Sequence, residues 1–164
     1  MNSLGDRPAT SHRRTVWSAA RVLGGLSLLA VGAVHIQQYS ALYSAIPTIG
    51  TLFVLDFVGT TLLGVGLLMP FERFWRRRGK WIETVMALGG VALAGASYVF
   101  LLVAERRPLF GFMEPGYDPN AIRAAQAGEI AAVLLLGAYL VIRYAPARSA
   151  RWRSALHTTQ EVRT

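Results

Sequence analysis

The sequence predicts an all-α fold: a polytopic membrane protein whose four transmembrane helices form an up-down-up-down bundle, with both termini in the cytoplasm. Hydrophobic residues make up 53% of the 164-residue chain, and its mean hydropathy is +0.37. Only 16% of the residues are charged, against about 25% in an ordinary soluble domain. The apolar residues form four blocks long enough to cross a bilayer core of about 30 Å, and basic residues cluster at alternate ends of these blocks.

The first block predicts a span over residues 16–36, preceded by a disordered basic tail over residues 1–15. Arg21 lies near the start of this span, where its long side chain would extend to the membrane interface. A signal peptide is the alternative, because a basic segment precedes the apolar run and residues 31–33 resemble a cleavage site. We favour a span, because the run is longer than a usual signal-peptide core and the rest of the chain is also apolar.

Three further blocks complete a predicted transmembrane domain over residues 16–145. Pro47 would occupy the first turn of the second helix, where a missing N–H costs nothing. The other spans are predicted over residues 48–69, 81–104 and 121–144. An outer loop over residues 105–120 joins the last two spans, and a basic cytoplasmic tail follows over residues 146–164.

The basic residues predict the orientation of the chain. Of its 17 Lys and Arg residues, 14 lie in the two tails, near the adjoining span ends and in the connection between the second and third spans. This bias places both termini in the cytoplasm of a multi-pass protein of the cell membrane. It also makes anionic lipid at the cytoplasmic face the expected partner, rather than nucleic acid, since no recognition motif accompanies the charge. The absence of cysteine excludes disulfides and thiolate metal sites.

Polar residues are predicted to gather in the outer half of the bundle. His35 closes the first span, while Asp56 and Glu129 each lie about eight residues, or ~12 Å, below the outer end of their helices. Gln126 lies one helical turn above Glu129, and Tyr39 follows His35. Because a carboxylate at this depth is costly, both acids should face the interior and find partners there.

Three interpretations of this cluster remain open. It could be a polar pocket in which a histidine and two carboxylates bind a divalent cation or relay protons. It could instead accept an apolar or aromatic molecule, such as a quinone or a lipid. In the third interpretation, the carboxylates only form hydrogen bonds that join the helices. The sequence contains no metal-binding motif and no cofactor-binding motif, so whether the cluster binds a metal or a cofactor is unknown at this point.

The outer loop is unusually apolar for a connection. Its prolines and glycines exclude a regular helix, while its aromatic residues indicate contact with the membrane surface or with the mouth of the bundle. It is therefore either a lid over the polar cluster or an interfacial anchor. The residues singled out here are Glu105, Phe110, Phe112 and Glu114.

These residues resemble a group of small four-span integral membrane proteins of actinobacteria whose function is not established. The resemblance rests on His35 at the end of the first span, residues 46–50 (IPTIG), residues 52–56 (LFVLD), residues 109–114 (LFGFME) and Glu129. It implies the four-span architecture and the same outer cluster. Position 56 is Asp here where the group's pattern has Asn, which favours hydrogen bonding over a paired-carboxylate mechanism.

No nucleophile motif or phosphate-binding loop is present, so the sequence favours a non-enzymatic membrane protein, although an enzymatic role stays open. We expect an outer pocket that binds a small ligand or supports contact with a membrane-protein partner or a second copy. The alternative is a proton-coupled carrier, or an accessory subunit of a membrane redox complex, with His35, Asp56 and Glu129 as the relay.

Overall fold

The computed structural model describes residues 7–145 and, within that range, every side chain except those of residues 7–11, 73, 74 and 76. The described chain is all-α, and four of its helices are long and apolar enough to cross a membrane, which confirms that prediction. The helices are α1 Arg7–Ala41, α2 Pro47–Leu68, α3 Phe71–Phe74, α4 Arg76–Ala104 and α5 Pro119–Tyr144, with a single 3₁₀ turn at Tyr43–Ala45.

The first helix is longer than predicted at both ends. It begins at Arg7, so the described part of the expected disordered tail is helical, and it continues past His35 to Ala41. The Arg13 guanidinium donates hydrogen bonds to the carbonyl oxygens of Ile142 and Ala145, which ties the first turns of α1 to the end of α5. Such a tertiary contact leaves no trace in local composition. Residues 1–6 and the predicted C-terminal tail lie outside the described residues.

Each long helix packs against two others, and neighbouring helices run antiparallel. Helix α1 lies between α2 and α5, while α4 contacts α2 and α5 from the opposite side. Gly25 of α1 and Gly64 of α2 meet where the two helices pack: a Cβ atom on Gly64 would lie 2.9 Å from the carbonyl oxygen of Gly25. Only glycines allow this approach of two backbones. The buried core includes Leu28, Leu67, Ala87, Ala132, Leu136 and Tyr139.

The bundle has two distinct ends. The terminal end carries Arg7 and Ala145, and the lid end carries the 3₁₀ turn and the connection between α4 and α5. Helix α5 starts at the lid end with Pro119 in its first turn, preceded by Asp118 as the N-cap. The Asp118 carboxylate accepts hydrogen bonds from the backbone N–H groups of Ala121, at 3.0 Å, and Asn120, at 3.1 Å. These bonds, with one from the Gln38 side chain, lower the pKa of Asp118 and keep the cap ionised.

A buried group of charges, the basal charge cluster, lies at the terminal end. Glu83, 2% exposed, forms ion pairs with Arg21 at 3.3 Å and Arg143 at 3.1 Å. Arg143 also pairs with Glu72, and Tyr139 donates to Glu83 at 3.4 Å. Arg21, expected to extend freely to the interface, is instead buried and paired with the Glu83 carboxylate. Sequence reasoning missed Glu83 altogether.

Candidate functional site

A cavity of about 340 Å³ lies in the lid half of the bundle. This volume is at the lower end of the range for small-molecule sites. Its walls come from all four long helices and from the connection between α4 and α5, and most of them are apolar. The lining residues include Val34, Ile49, Leu52, Phe53, Leu55, Leu93, Ala96, Phe100, Leu101, Ala121, Ile122 and Ala125.

His35 and Asp56 form the first polar element of this cavity. The Nδ1 atom of His35 lies 2.9 Å from the carbonyl oxygen of Val31 and 3.3 Å from Oδ2 of Asp56. Because a carbonyl oxygen can only accept, Nδ1 carries a proton. In the neutral imidazole, Nε2 is then an acceptor, and it lies 3.4 Å from the Ser97 hydroxyl. One turn of α1 and one serine of α4 thus set the orientation and the tautomer of His35.

Glu129 is the second polar element, and it lacks partners. Its residue is 1% exposed, and neither carboxylate oxygen has a hydrogen-bond partner among the described residues. The Ser97 hydroxyl faces Glu129 as well as His35, but it has only one proton to donate. The Oδ2 atom of Asp56 also lacks a hydrogen bond. The cavity therefore presents three buried carboxylate oxygens that accept no hydrogen bond from the described residues, although the Ser97 hydroxyl faces Glu129 and Nδ1 of His35 lies 3.3 Å from Asp56.

Residues 105–118, here called the lid loop, close the end of the cavity. Tyr43 donates a hydrogen bond from its hydroxyl to Glu114, whose other oxygen accepts from the backbone N–H groups of Gly116 at 2.9 Å and Tyr117 at 3.2 Å. Burial raises the pKa of Tyr43 above its usual value, and the bond to Glu114 adds to the shift, so the hydroxyl keeps its proton as donor. Gln38 of α1 also donates to Asp118 at 3.0 Å.

The two interpretations of the loop each describe part of it. Phe112 lines the cavity and packs edge-on against Tyr43, with 5.7 Å between ring centroids. Phe110 is 63% exposed, and its φ of 51° lies in the left-handed region that residues other than glycine rarely adopt. The loop is thus a lid through Phe112 and Glu114, while Phe110 has the placement of an anchor.

The exposed part of the cavity wall lies between α2 and α4. Leu55 of α2 is 61% exposed and Phe100 of α4 is 44% exposed, and both line the cavity together with exposed Ala96. The cavity therefore opens sideways between these helices, while the lid loop covers its end. In a bilayer, such an opening faces acyl chains and not water.

The structure brings together only some of the residues that the sequence singled out. His35, Asp56, Glu129, Phe112 and Glu114 line the cavity. Gln126 lies outside it and donates to Glu105 at 3.3 Å, and Tyr39 and Phe110 are not part of the lining. Sequence reasoning missed Ser97. Its spacing of four residues from the cavity residues Leu93 and Leu101 places all three on one face of α4, and an analysis of helical faces could have found it from this spacing.

The geometry gives no support to the metal interpretation. Within residues 7–145, no three His, Asp or Glu side chains come together in an arrangement that could hold a metal ion. His35 and Asp56 are already engaged with each other, and Glu129 faces Ser97.

Four helices long and apolar enough to cross a membrane indicate a multi-pass membrane protein, and the lid loop covers the end of its cavity. No protein-family model, curated protein or solved structure is significantly similar to the chain.

Replacing Tyr43 by Phe should loosen the lid loop. A hydrogen bond to a charged group contributes about 1.5–3 kcal/mol, so its loss should speed amide hydrogen exchange in residues 105–118 roughly tenfold to 100-fold. Hydrogen exchange followed by mass spectrometry measures this directly. Tyr117→Phe is the control, because Tyr117 is 64% exposed in the same loop. Equal exchange in the two variants would show that the Tyr43–Glu114 bond does not hold the loop.

Proposed function

We propose that this protein binds a small, mainly apolar molecule with a hydrogen-bond-donating head group, which enters its cavity from within the membrane. The observation that carries the proposal is the pair of unpartnered oxygens of Glu129 at the polar floor of an otherwise apolar cavity. A buried carboxylate without partners costs folding free energy, and a ligand that donates a hydrogen bond or carries positive charge would recover it. An amine or a hydroxyl group has the required chemistry, and a carboxylate does not.

The proposed setting is the cell membrane, with the four helices crossing up-down-up-down and both termini cytoplasmic. The distribution of Lys and Arg supports this orientation, since most of them lie in the segments that join at the terminal end. The lid end then faces outward, and the sideways opening between α2 and α4 lies in the outer leaflet. Binding, and not covalent chemistry, is the proposed activity. Although Ser97, His35 and Asp56 lie in a row, the 3.4 Å between the Ser97 hydroxyl and Nε2 of His35 exceeds the range of about 2.6–3.2 Å within which a base activates a nucleophile. Nδ1 of His35 is also closer to the carbonyl oxygen of Val31 than to Asp56.

A matched set of aromatic probes tests the proposal. The full-length chain in nanodiscs is titrated with 1-naphthylmethylamine, 1-naphthalenemethanol and 1-naphthoate, which share a ring system and differ in their head groups. We expect saturable fluorescence changes with the amine and the alcohol, and none with the carboxylate, because Glu129 and Asp56 would repel it.

A pocket-filling variant supplies the control for this experiment. Ala125→Leu places a larger side chain in the cavity wall and should abolish probe binding, whereas Ala127→Leu changes an exposed position on the same helix and should not. If the three probes bind alike, or if both variants bind like the wild type, the proposed site does not select ligands.

A second candidate function is proton relay. The contacts of Ser97 with His35 and Glu129 favour it, because they connect the titratable groups of the cavity in one chain. A saturable, pH-dependent proton flux into proteoliposomes that Glu129→Gln abolishes would support a carrier. Probe binding without proton flux would support the binding function and rule out the carrier.

A further inference from the structure

A second cavity, of about 650 Å³, opens at the terminal end between α1, α3 and the start of α4. Four basic side chains line it, and we call this set the basal basic cradle: Arg14, Arg21, Arg77 and Lys80. The acidic residues of the same cavity are Glu72 and Glu83, and Arg143 pairs with both of them from behind. Arg21 also pairs with Glu83, so the two guanidinium groups of Arg21 and Arg143 balance the two carboxylates within the basal charge cluster.

The remaining positive charge is available to a ligand. Arg14, Arg77 and Lys80 are exposed, and none of them has an acidic partner among the described residues. Three cations around one concave surface attract an anion and repel one another when it is absent.

Arg21 provides an independent sign of a missing ligand. It is 9% exposed and lines the cavity, and its Nη1 atom is engaged by Glu83 and by the carbonyl oxygen of Met69 at 3.0 Å. Its Nε–H, however, is buried without a hydrogen-bond partner among the described residues. A buried guanidinium donor without an acceptor is costly, and an anion in the cradle would accept from it.

The start of α4 adds to the positive electrostatic potential of the cradle. This 29-residue helix begins at Arg76, and its N-cap residue Trp75 makes no capping hydrogen bond through its side chain. The first N–H groups of the helix therefore remain as donors beside Arg77 and Lys80, and the positive end of the helix dipole lies there. Arginines, a lysine and a helix N-terminus are the groups by which proteins hold phosphate.

We propose that the basal basic cradle binds one phosphate group. The phosphate could come from the head group of a membrane phospholipid or from a free phosphate ion. Trp17 also lines the cavity and has the amphipathic ring that suits the head-group level of a bilayer.

The test uses the full chain, purified free of lipid in a neutral detergent at constant ionic strength. One arm titrates dihexanoyl phosphatidylglycerol and the other titrates inorganic phosphate, while native mass spectrometry counts bound molecules and thermal unfolding measures stabilisation. We expect saturation at a single molecule per chain in at least one arm. Saturation by the lipid alone identifies a head group, and saturation by inorganic phosphate identifies the free ion.

Two triple variants with equal loss of charge distinguish specific binding in the cradle from non-specific attraction of anions to the positively charged protein. Arg14→Gln/Arg77→Gln/Lys80→Gln should weaken binding at least roughly tenfold, because it removes the exposed donors of the cradle. Arg106→Gln/Arg107→Gln/Arg123→Gln removes three charges at the lid end and should change the binding affinity by less than about twofold. The proposal is overturned if neither arm saturates, or if both triple variants weaken binding equally. The three replaced residues are exposed and form no ion pair with any described residue, so we expect their replacement to leave the fold intact.

Discussion

Replacing Glu83 by Gln is expected to lower the free energy of unfolding by about 3–5 kcal/mol, the range measured when one partner of a buried ion pair is removed. Glu83 is 2% exposed and is shared by two guanidinium groups, those of Arg21 and Arg143, whose side chains are 10% and 9% exposed. The backbone N–H of Glu72 also points to it, at 3.4 Å. The amide would leave two buried positive charges with Glu72 as their nearest remaining acid.

Reversible unfolding in mixed micelles, followed by circular dichroism, measures this loss. Glu105→Gln is the matched control, because Glu105 lies at the lid end and accepts a single hydrogen bond, from Gln126 at 3.3 Å. We expect the control to change stability by less than about 1 kcal/mol. A loss of that small size for Glu83→Gln would mean that the basal charge cluster does not hold α1, α4 and α5 together.

Replacing Glu129 by Leu is expected to act in the opposite direction and to raise the free energy of unfolding by about 1–3 kcal/mol. The wild-type carboxylate is buried with both oxygens unpartnered, and leucine has a similar volume without that desolvation cost. The same change should abolish binding of 1-naphthylmethylamine, because it removes the proposed acceptor. A gain in stability with a loss of binding is the pattern expected when a residue is retained for function.

The matched control is Gln126→Leu, one turn away on α5 and outside the cavity, which should leave probe binding unchanged. Thermal unfolding and probe titration on the same samples give both readouts. If Glu129→Leu instead lowers the unfolding temperature by several degrees, the carboxylate has a structural role and forms hydrogen bonds that join the helices. The lateral cavity would then lose the observation on which its proposed function rests.

The sequence by itself determined the number of long helices and, closely, where three of them end. The predicted spans end at residues 69, 104 and 144, and the helices end at Leu68, Ala104 and Tyr144. Hydropathy and Pro47 are local properties, so they mark helix ends without knowledge of the neighbours, whereas Pro119, assigned to the outer loop, is the first residue of α5. The start of α1 at Arg7 was not predictable in this way, because its contact with the end of α5 joins residues far apart in the chain.

The same distinction applies to the site. Depth along a helix follows from counting residues, and it placed Asp56 and Glu129 at the same level, with His35 at the outer end of the first span. The structure has all three lining one cavity, because α1 continues past His35 to Ala41. Depth does not say which way a side chain faces, so Gln126 and Tyr39 were included and Ser97 was missed. Glu83 lies near the start of the predicted third span and was not singled out there, and only the packing of α1 and α5 against α4 shows that it is buried between Arg21 and Arg143. Local composition thus determined where the helices lie along the chain. The direction in which each polar side chain points was decided by tertiary packing, because that packing depends on partners distant in sequence.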